Sequence, residues 1–262
     1  MDFDFIARHW YADVYEQFET QTDDVDFLLK VLGGIEKPEN ILEVACGGGR
    51  ICVPLSHAGY NVTGFDADEH MLLRCVKKAE ALHNLRVYQA DAINDDWGKY
   101  NAVIIAGNFL INIESKTDYA AAQKTLFTKA AEALDCGGWL YLDFDLCSNP
   151  QNVFTNTRIS NYFCGTDDLG TTGKTVSYGS VYDSVTQMCA GCSHWELTTA
   201  GGEKLIVPNN WYKHIPTLQQ VYDWLNEAGF DVFNTYGNYT DKPLPDIPDD
   251  ELWRATILAK KR

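Results

Sequence analysis

Ile41-Leu42-Glu43-Val44-Ala45-Cys46-Gly47-Gly48-Gly49-Arg50 runs from an apolar strand into three consecutive glycines, and Phe65-Asp66 follows, with Asp66 lying 17 residues after Gly49. Glycines at a strand end let a ligand approach the backbone without meeting Cβ atoms. A carboxylate about 20 residues further on is where a second parallel strand meets a ribose diol. Together they read as a site for an adenosine-bearing cofactor. The dinucleotide fingerprint G-x-G-x-x-G needs a third glycine for close helix packing, and counting from Gly47 and Gly49 that place holds Cys52. The chain also has no G-x-x-x-x-G-K-[ST], so a nucleoside triphosphate loop is unsupported.

What remains, E-x-A-C-G-x-G-R (Glu43 to Arg50) followed by G-F-D (Gly64 to Asp66), resembles the first motif and post-motif acidic residue of class I S-adenosylmethionine (SAM) dependent methyltransferases. Small-molecule members of that family often read L-E-x-A-C-G-T-G-R here. This chain has Gly48 where Thr is usual and Ala45 where a first Gly is more general.

The pattern outward from this stretch is regular. Asp68 is placed to cap a helix whose apolar residues are Met71, Leu72, Cys75, Val76, Ala79 and Leu82. Leu85 to Ala90 reads as a strand, and Asn101 to Ala106 as a central parallel strand buried on both faces. A helix through Tyr119, Leu126 and Leu134, ended by Gly137-Gly138, precedes a strand from Trp139 to Asp145. Such alternation predicts right-handed crossovers and an α/β, doubly wound, Rossmann-like sheet. From 148 to 216, turns separate short Tyr, Val, Thr and Trp rich runs, the signature of an inserted antiparallel β element. A helix from Leu218 to Ala228, a strand from Phe230 to Tyr236, an acidic loop from Asp241 to Glu251 and a last strand from Trp253 to Ala259 complete the chain. The family resemblance implies seven strands in the order 3-2-1-4-5-7-6, with strand 7 antiparallel. We expect one methyltransferase domain over 1–262, with a helical lid segment at 1–35 and a β substrate lid at 148–216.

Composition narrows the partners. The net charge of −16, from 37 acidic against 21 basic residues, repels phosphate backbones, so nucleic acid is not expected as a substrate; the charge reads either as a means of solubility alone or also as an attraction for cationic amines. No basic head with an apolar run marks the first 30 residues and no 18-residue apolar window is present, so the expectation is a cytoplasmic protein without a membrane span. Of eight cysteines, Cys46, Cys52, Cys75 and Cys136 read as small buried thiols. Only Cys189-Ala190-Gly191-Cys192 has metal or redox spacing; lacking a second pair it reads as ordinary thiols, and no metal is expected.

Site residues follow from position and from the resemblance. Glu43 lies in a buried-looking strand and needs hydrogen-bond partners, either loop amides or a ligand amino group; in the family this position supports the methionine end of SAM. Ala45, Gly47, Gly49 and Arg50 form the loop, and Asp66 is read as the ribose ligand, with Ala67 and Met71 beside it. Asp91 and Ala92 close the third strand where the family reads adenine, although Asp91 also suits a solvated loop. Ala106 and Asn108 follow the fourth strand, where the sulfonium should lie, with Asn112 behind them. The segment containing Tyr11 and Tyr15 resembles the family's cofactor lid; a plain amphipathic helix would place these residues similarly. Tyr178, Trp195, Trp211 and Tyr212 are candidate aromatic walls for an acceptor, and equally suit a dry sheet contact.

Methyl transfer from a sulfonium asks mainly for near-attack geometry and exclusion of water. His214 is the candidate general base should the acceptor be a hydroxyl. The absence of a stronger base motif, and a resemblance to aminosugar and glycine-type N-methyltransferases, point to a small amine. The alternatives are O-methylation of a hydroxylated or carboxylated metabolite, and a non-catalytic SAM-binding protein. SAM, leaving as S-adenosylhomocysteine, is the expected cofactor, a small molecule the expected partner, and a monomer or homodimer the expected state.

Overall fold

Residues 2–115, 118–244 and 251–262 are described by the computed structural model. In chain order, α1 (Phe3–Phe18) and α2 (Asp23–Gly33) precede β1 (Asn40–Val44), α3 (Cys52–His57), β2 (Asn61–Asp66), α4 (Glu69–Ala79), β3 (Leu85–Gln89) and β4 (Tyr100–Ile105). Next come α5 (Phe109–Asn112), α6 (Tyr119–Ala133), β5 (Leu134–Asp145) and α7 (Pro150–Phe154). Then follow β6 (Ser160–Thr166), β7 (Thr172–Asp183), β8 (Met188–Thr198), β9 (Lys204–Pro208) and β10 (Trp211–His214). The chain closes with α8 (Leu218–Glu227), β11 (Phe230–Gly237) and β12 (Arg254–Lys261). Part of the acidic loop expected at 241–251 lies outside the described residues, at 245–250.

The chain divides into two units, Thr22–Ser148 with Pro216–Arg262, and Met1–Gln21 with Asn149–Ile215. In the first, the frame unit, seven strands lie in the order β11-β12-β5-β4-β1-β2-β3. β1 pairs parallel with β2 and β4, while β12 runs antiparallel to both β5 and β11. Counting β11 and β12 as the sixth and seventh strands of the frame, this is the expected order 3-2-1-4-5-7-6. The continuous apolar runs explain why β1 and β4 are central: Ile41, Leu42, Val103, Ile104 and Ile105 are fully buried, as a strand covered by helices on both faces requires.

One junction differs from expectation. Helix α6 stops at Ala133 and β5 begins at the next residue, so Gly137 and Gly138 lie inside the strand and not after the helix. Between Tyr100↔Leu134 and Ala102↔Trp139 the ladder shifts register, and the glycines sit in the resulting bulge. Cys136 lies there too and is exposed, contrary to the buried position expected for it; Cys46, Cys52 and Cys75 are buried.

The second, or insert, unit holds antiparallel strands in the order β10-β8-β7-β6, with β9 paired to β8. Helix α1 belongs to this unit: Trp10 and Val14 cluster with Leu197, and the Trp10 indole N–H donates to the Gly165 carbonyl at 3.1 Å. The expected segment 1–35 is thus divided, α1 grouping with the insert and α2 with the frame. Among the described residues no helix is long and apolar enough to cross a membrane.

Candidate active site

At the carboxyl end of β1 the loop turns through three left-handed residues, Ala45 (φ 57°), Gly47 (φ 52°) and Gly49 (φ 85°). For Ala45 this conformation costs about 1 kcal/mol, and it falls where the family more generally carries glycine. The Gly47 N–H donates to Asp66 Oδ2 at 2.8 Å, while the Asp68 N–H donates to Oδ1 at 2.8 Å. Asp66 therefore ties the glycine loop to the end of the second strand. Burial raises its carboxyl above the usual range. Asp68 caps α4 by accepting from the amides of His70 and Met71, as its place in the sequence predicts. The loop has room for a ligand, because a Cβ built on Gly47 meets nothing within 4 Å. Ala67 lies exposed beside it, its carbonyl accepting from Gln89 Nε2 at 2.9 Å.

Glu43 is 4% exposed, with Cys52, at the start of α3, beside its carboxyl. Burial, followed by the neighbouring Cys75, pushes that carboxyl up to about 8. Its Oε2 has no partner. An unpartnered buried acceptor is costly, and a ligand ammonium would satisfy it.

Asp91 is exposed and shapes its own turn, accepting from the amides of Ile93 (2.7 Å) and Asn94 (2.9 Å). Ala92 is half-buried in that turn, and Ala106 is buried at the end of β4. Asn108, at φ 64°, starts α5, and Asn112 ends it on an exposed turn. The Asn108 side chain clasps β5: its Nδ2 donates to Asp145 Oδ2 at 2.6 Å, and its Oδ1 accepts from the Asp145 amide at 2.8 Å.

Sequence reasoning missed the group that surrounds Asn108. Arg254 pairs with Asp143 at 3.3 Å and with Asp145 at 2.9 Å, and its guanidinium lies over the Tyr239 ring, 5.6 Å from the centroid. Arg50 pairs with Asp24 at 2.6 Å. The available signal was Leu142-Asp143-Phe144-Asp145, two carboxylates on one face of a buried apolar strand, the same anomaly that singled out Glu43. Asp143 is 1% exposed; burial, opposed by Arg254, pushes its carboxyl from 3.8 up to about 6.

The folded chain therefore holds a proton on Asp143 that the unfolded chain releases between pH 3.8 and about 6. The contribution to stability is fully present below that window and is lost as pH rises through it, to the extent of roughly 2 to 3 kcal/mol. Urea unfolding of the wild type and of Asp143→Asn at pH 4, 5, 6 and 7 checks this. The stability of the variant relative to wild type should rise across the window, and parallel pH curves would contradict the assignment.

The remaining candidates lie in the insert unit. Tyr11 stacks on Trp195 with centroids 5.1 Å apart, and Tyr15 lies 6.0 Å from Tyr11. These three form one aromatic group between α1 and β8. Tyr178 is exposed beside His194, and Tyr212 is exposed on β10. Trp211 covers Gly191, where a Cβ would lie 2.0 Å from the indole. His214 is buried, 4% exposed, and pairs with Met188 in the ladder. Cys189 is buried and Cys192 exposed, because residues three apart on a strand face opposite sides; the C-x-x-C spacing does not bring these thiols together.

Residues 41–138 match the family described as Methyltransferase domain. YqeM of Bacillus subtilis (strain 168) is 27% identical over 171 residues, which cover 61% of this chain and 68% of that protein. Among solved structures, a S-adenosylmethionine-dependent methyltransferase from Clostridium acetobutylicum ATCC 824 superposes with a TM-score of 0.71 at 15% identity, covering 99% of this chain and 98% of the other. The sugar N-methyltransferase KedS8 from Streptoalloteichus sp. ATCC 53650 does so with a TM-score of 0.70 at 17% identity, covering 95% and 91%. At these identities the structural likeness speaks for the fold, which is that of class I methyltransferases.

Proposed function

We propose that this chain, a class I methyltransferase by family match and topology, methylates a nitrogen of a small amine with SAM as donor. The observation that carries the reading is the Asp66 carboxylate drawn against the Gly47 amide at the carboxyl edge of β1 and β2, beside a loop whose backbone stands open. Ligands of open parallel sheets bind at this edge. Asp66 would hold the ribose diol, the open backbone of the glycine loop would lie against the methionine portion, and the partnerless Oε2 of Glu43 offers an acceptor to its ammonium. Asp91, Ala92, Ala67 and Met71 would border the adenine. When bound, SAM supplies an electrophilic methyl group on a sulfonium.

The amine reading rests on charge at the carboxyl ends of β4 and β5. Asp145 is fixed from two sides by Asn108 and Arg254, yet its side chain remains 41% exposed. It can accept a hydrogen bond from an acceptor amine and orient the nitrogen. We therefore place the residue that orients the acceptor at Asp145; His214 is buried within the insert unit. The similarity to a sugar N-methyltransferase and the net charge of −16 are consistent with a cationic acceptor.

Calorimetry with S-adenosylhomocysteine and NAD tests the cofactor: the first should bind, and tighter binding of NAD would sink the assignment. Methyl transfer from labelled SAM to panels of amines and hydroxyl compounds tests the acceptor. With a responsive amine, Asp145→Asn should raise KM for the acceptor by roughly tenfold or more while the SAM affinity holds. Methylation confined to hydroxyl compounds would overturn the amine reading.

A further inference from the structure

We propose that Cys46, Cys52 and Cys75, with Glu43 as fourth donor, form a binding site for a thiophilic divalent cation of the zinc class beneath the glycine loop. The cysteines are 6 and 23 residues apart and match no linear metal motif; the fold brings them together. Cys46 comes from the loop after β1, Cys52 opens α3 and Cys75 lies in α4. Their three sulfurs lie within 4.8 Å of one another, and those of Cys52 and Cys75 are 3.6 Å apart. A tetrahedral centre with metal–sulfur bonds of about 2.3 Å separates its sulfurs by about 3.8 Å, so the trio needs only a small contraction.

Two further observations point to a ligand. Glu43 neighbours Cys52 and Cys75, outside the 4.8 Å that encloses the three sulfurs, and its Oε2 is buried without a partner, so a rotation of its side chain would bring it in as the fourth donor. Three sulfurs and one carboxylate oxygen make a donor set suited to zinc. The second observation is the space kept for the sulfurs. A Cβ on Gly64 would lie 2.9 Å from the Cys46 sulfur, and one on Gly49 would lie 2.7 Å from the Cys75 sulfur. Gly64 sits in the interior of β2, directly opposite Glu43, where glycine weakens a strand unless something must approach closely.

Binding breaks three S–H bonds, releases the protons to solvent and forms three sulfur–metal bonds, with no oxidant or reductant involved. Lys78, which bonds the Gly48 carbonyl at 2.9 Å and acts electrostatically on Cys75, offsets part of the negative charge. The ion would join the cofactor loop to the start of α3 and the middle of α4. The site shares Glu43 with the proposed cofactor pocket but does not depend on the acceptor or on turnover, so its test is independent of the methyl-transfer reading.

The test titrates cobalt(II), then zinc, into the full chain after chelation and reduction. We expect about one cobalt per chain with thiolate-to-metal charge-transfer absorption of an intensity per metal that reports several sulfurs, bleached by zinc. Cys52→Ser and Cys75→Ser should each lower cobalt affinity at least about tenfold, while the double variant Cys189→Ser/Cys192→Ser should bind as wild type. Should a serine variant fail to fold, zinc protection of Cys46, Cys52 and Cys75 from alkylation in the wild type, read by peptide mass spectrometry, decides in its place. No charge-transfer band, unchanged affinity in folded Cys75→Ser, or protection confined to Cys189 and Cys192 would each overturn the site.

Discussion

Asp66→Ala is expected to weaken S-adenosylhomocysteine binding by about 2 to 4 kcal/mol, roughly 30- to 1,000-fold in Kd. Each carboxylate oxygen of Asp66 already accepts one amide, from Gly47 or Asp68, at 2.8 Å, and each keeps a second lone pair for a ribose hydroxyl. Removing the carboxylate thus deletes two charge-assisted bonds to the cofactor and also frees the Gly47 amide, so the loop loses its fixed position before the ligand arrives. The fold should survive, because Asp66 stands at a half-buried strand end outside the hydrophobic core. Calorimetry measures the affinity, and a cooperative thermal transition checks the fold. Asp66→Asn should fall between wild type and Ala, since the amide retains one acceptor oxygen and loses the charge. Wild-type affinity in Asp66→Ala would show that another group holds the ribose.

The frame was legible because its signals are local. Apolar runs such as Val103-Ile104-Ile105, three glycines after a strand and a capping Asp68 each name an element without reference to the rest of the chain. The antiparallel seventh strand was legible only through the family resemblance, since nothing inside Arg254–Lys261 states which neighbours it will choose. The same reason hid Arg254. Its partner Asp143 is 111 residues away, and the pair exists because β12 inserts beside β5 with Arg254 in register with Asp145. The start of β5 was misread for a different cause. A double glycine after an apolar helical pattern ordinarily ends the helix, but pairing with Tyr100 draws Leu134 into the sheet and turns the glycines into a bulge. The thiol trio was invisible in the same sense as Arg254: buried cysteines were anticipated one by one, and only the crossing of three elements makes them neighbours. For the insert unit, alternating aromatic residues announced strands, but the identical pattern fits a ligand wall and the contact between α1 and β8.

Gly49→Ala should destabilise the chain by about 2 to 5 kcal/mol, and the cost should depend on Cys75. Two effects combine at this position. The backbone stands at φ 85°, which an L side chain tolerates at about 1 to 2 kcal/mol. The new methyl group would also lie 2.7 Å from the Cys75 sulfur and 3.1 Å from Val53 Cγ2, an overpacking that typically costs about 1 to 3 kcal/mol. The sulfur belongs to the fully buried side chain of Cys75 and has little freedom to retreat. A double-mutant cycle separates the two effects. Cys75→Ala alone should cost about 1 kcal/mol for the lost sulfur; in that background Gly49→Ala should cost about 1 to 2 kcal/mol less than in wild type, because the contact with the sulfur is gone while the Val53 contact and the backbone strain remain. Urea unfolding of the four proteins gives the coupling directly. Additivity within about 0.5 kcal/mol would mean that the loop tolerates the methyl group against the sulfur, and that glycine is required at this position for its backbone conformation alone.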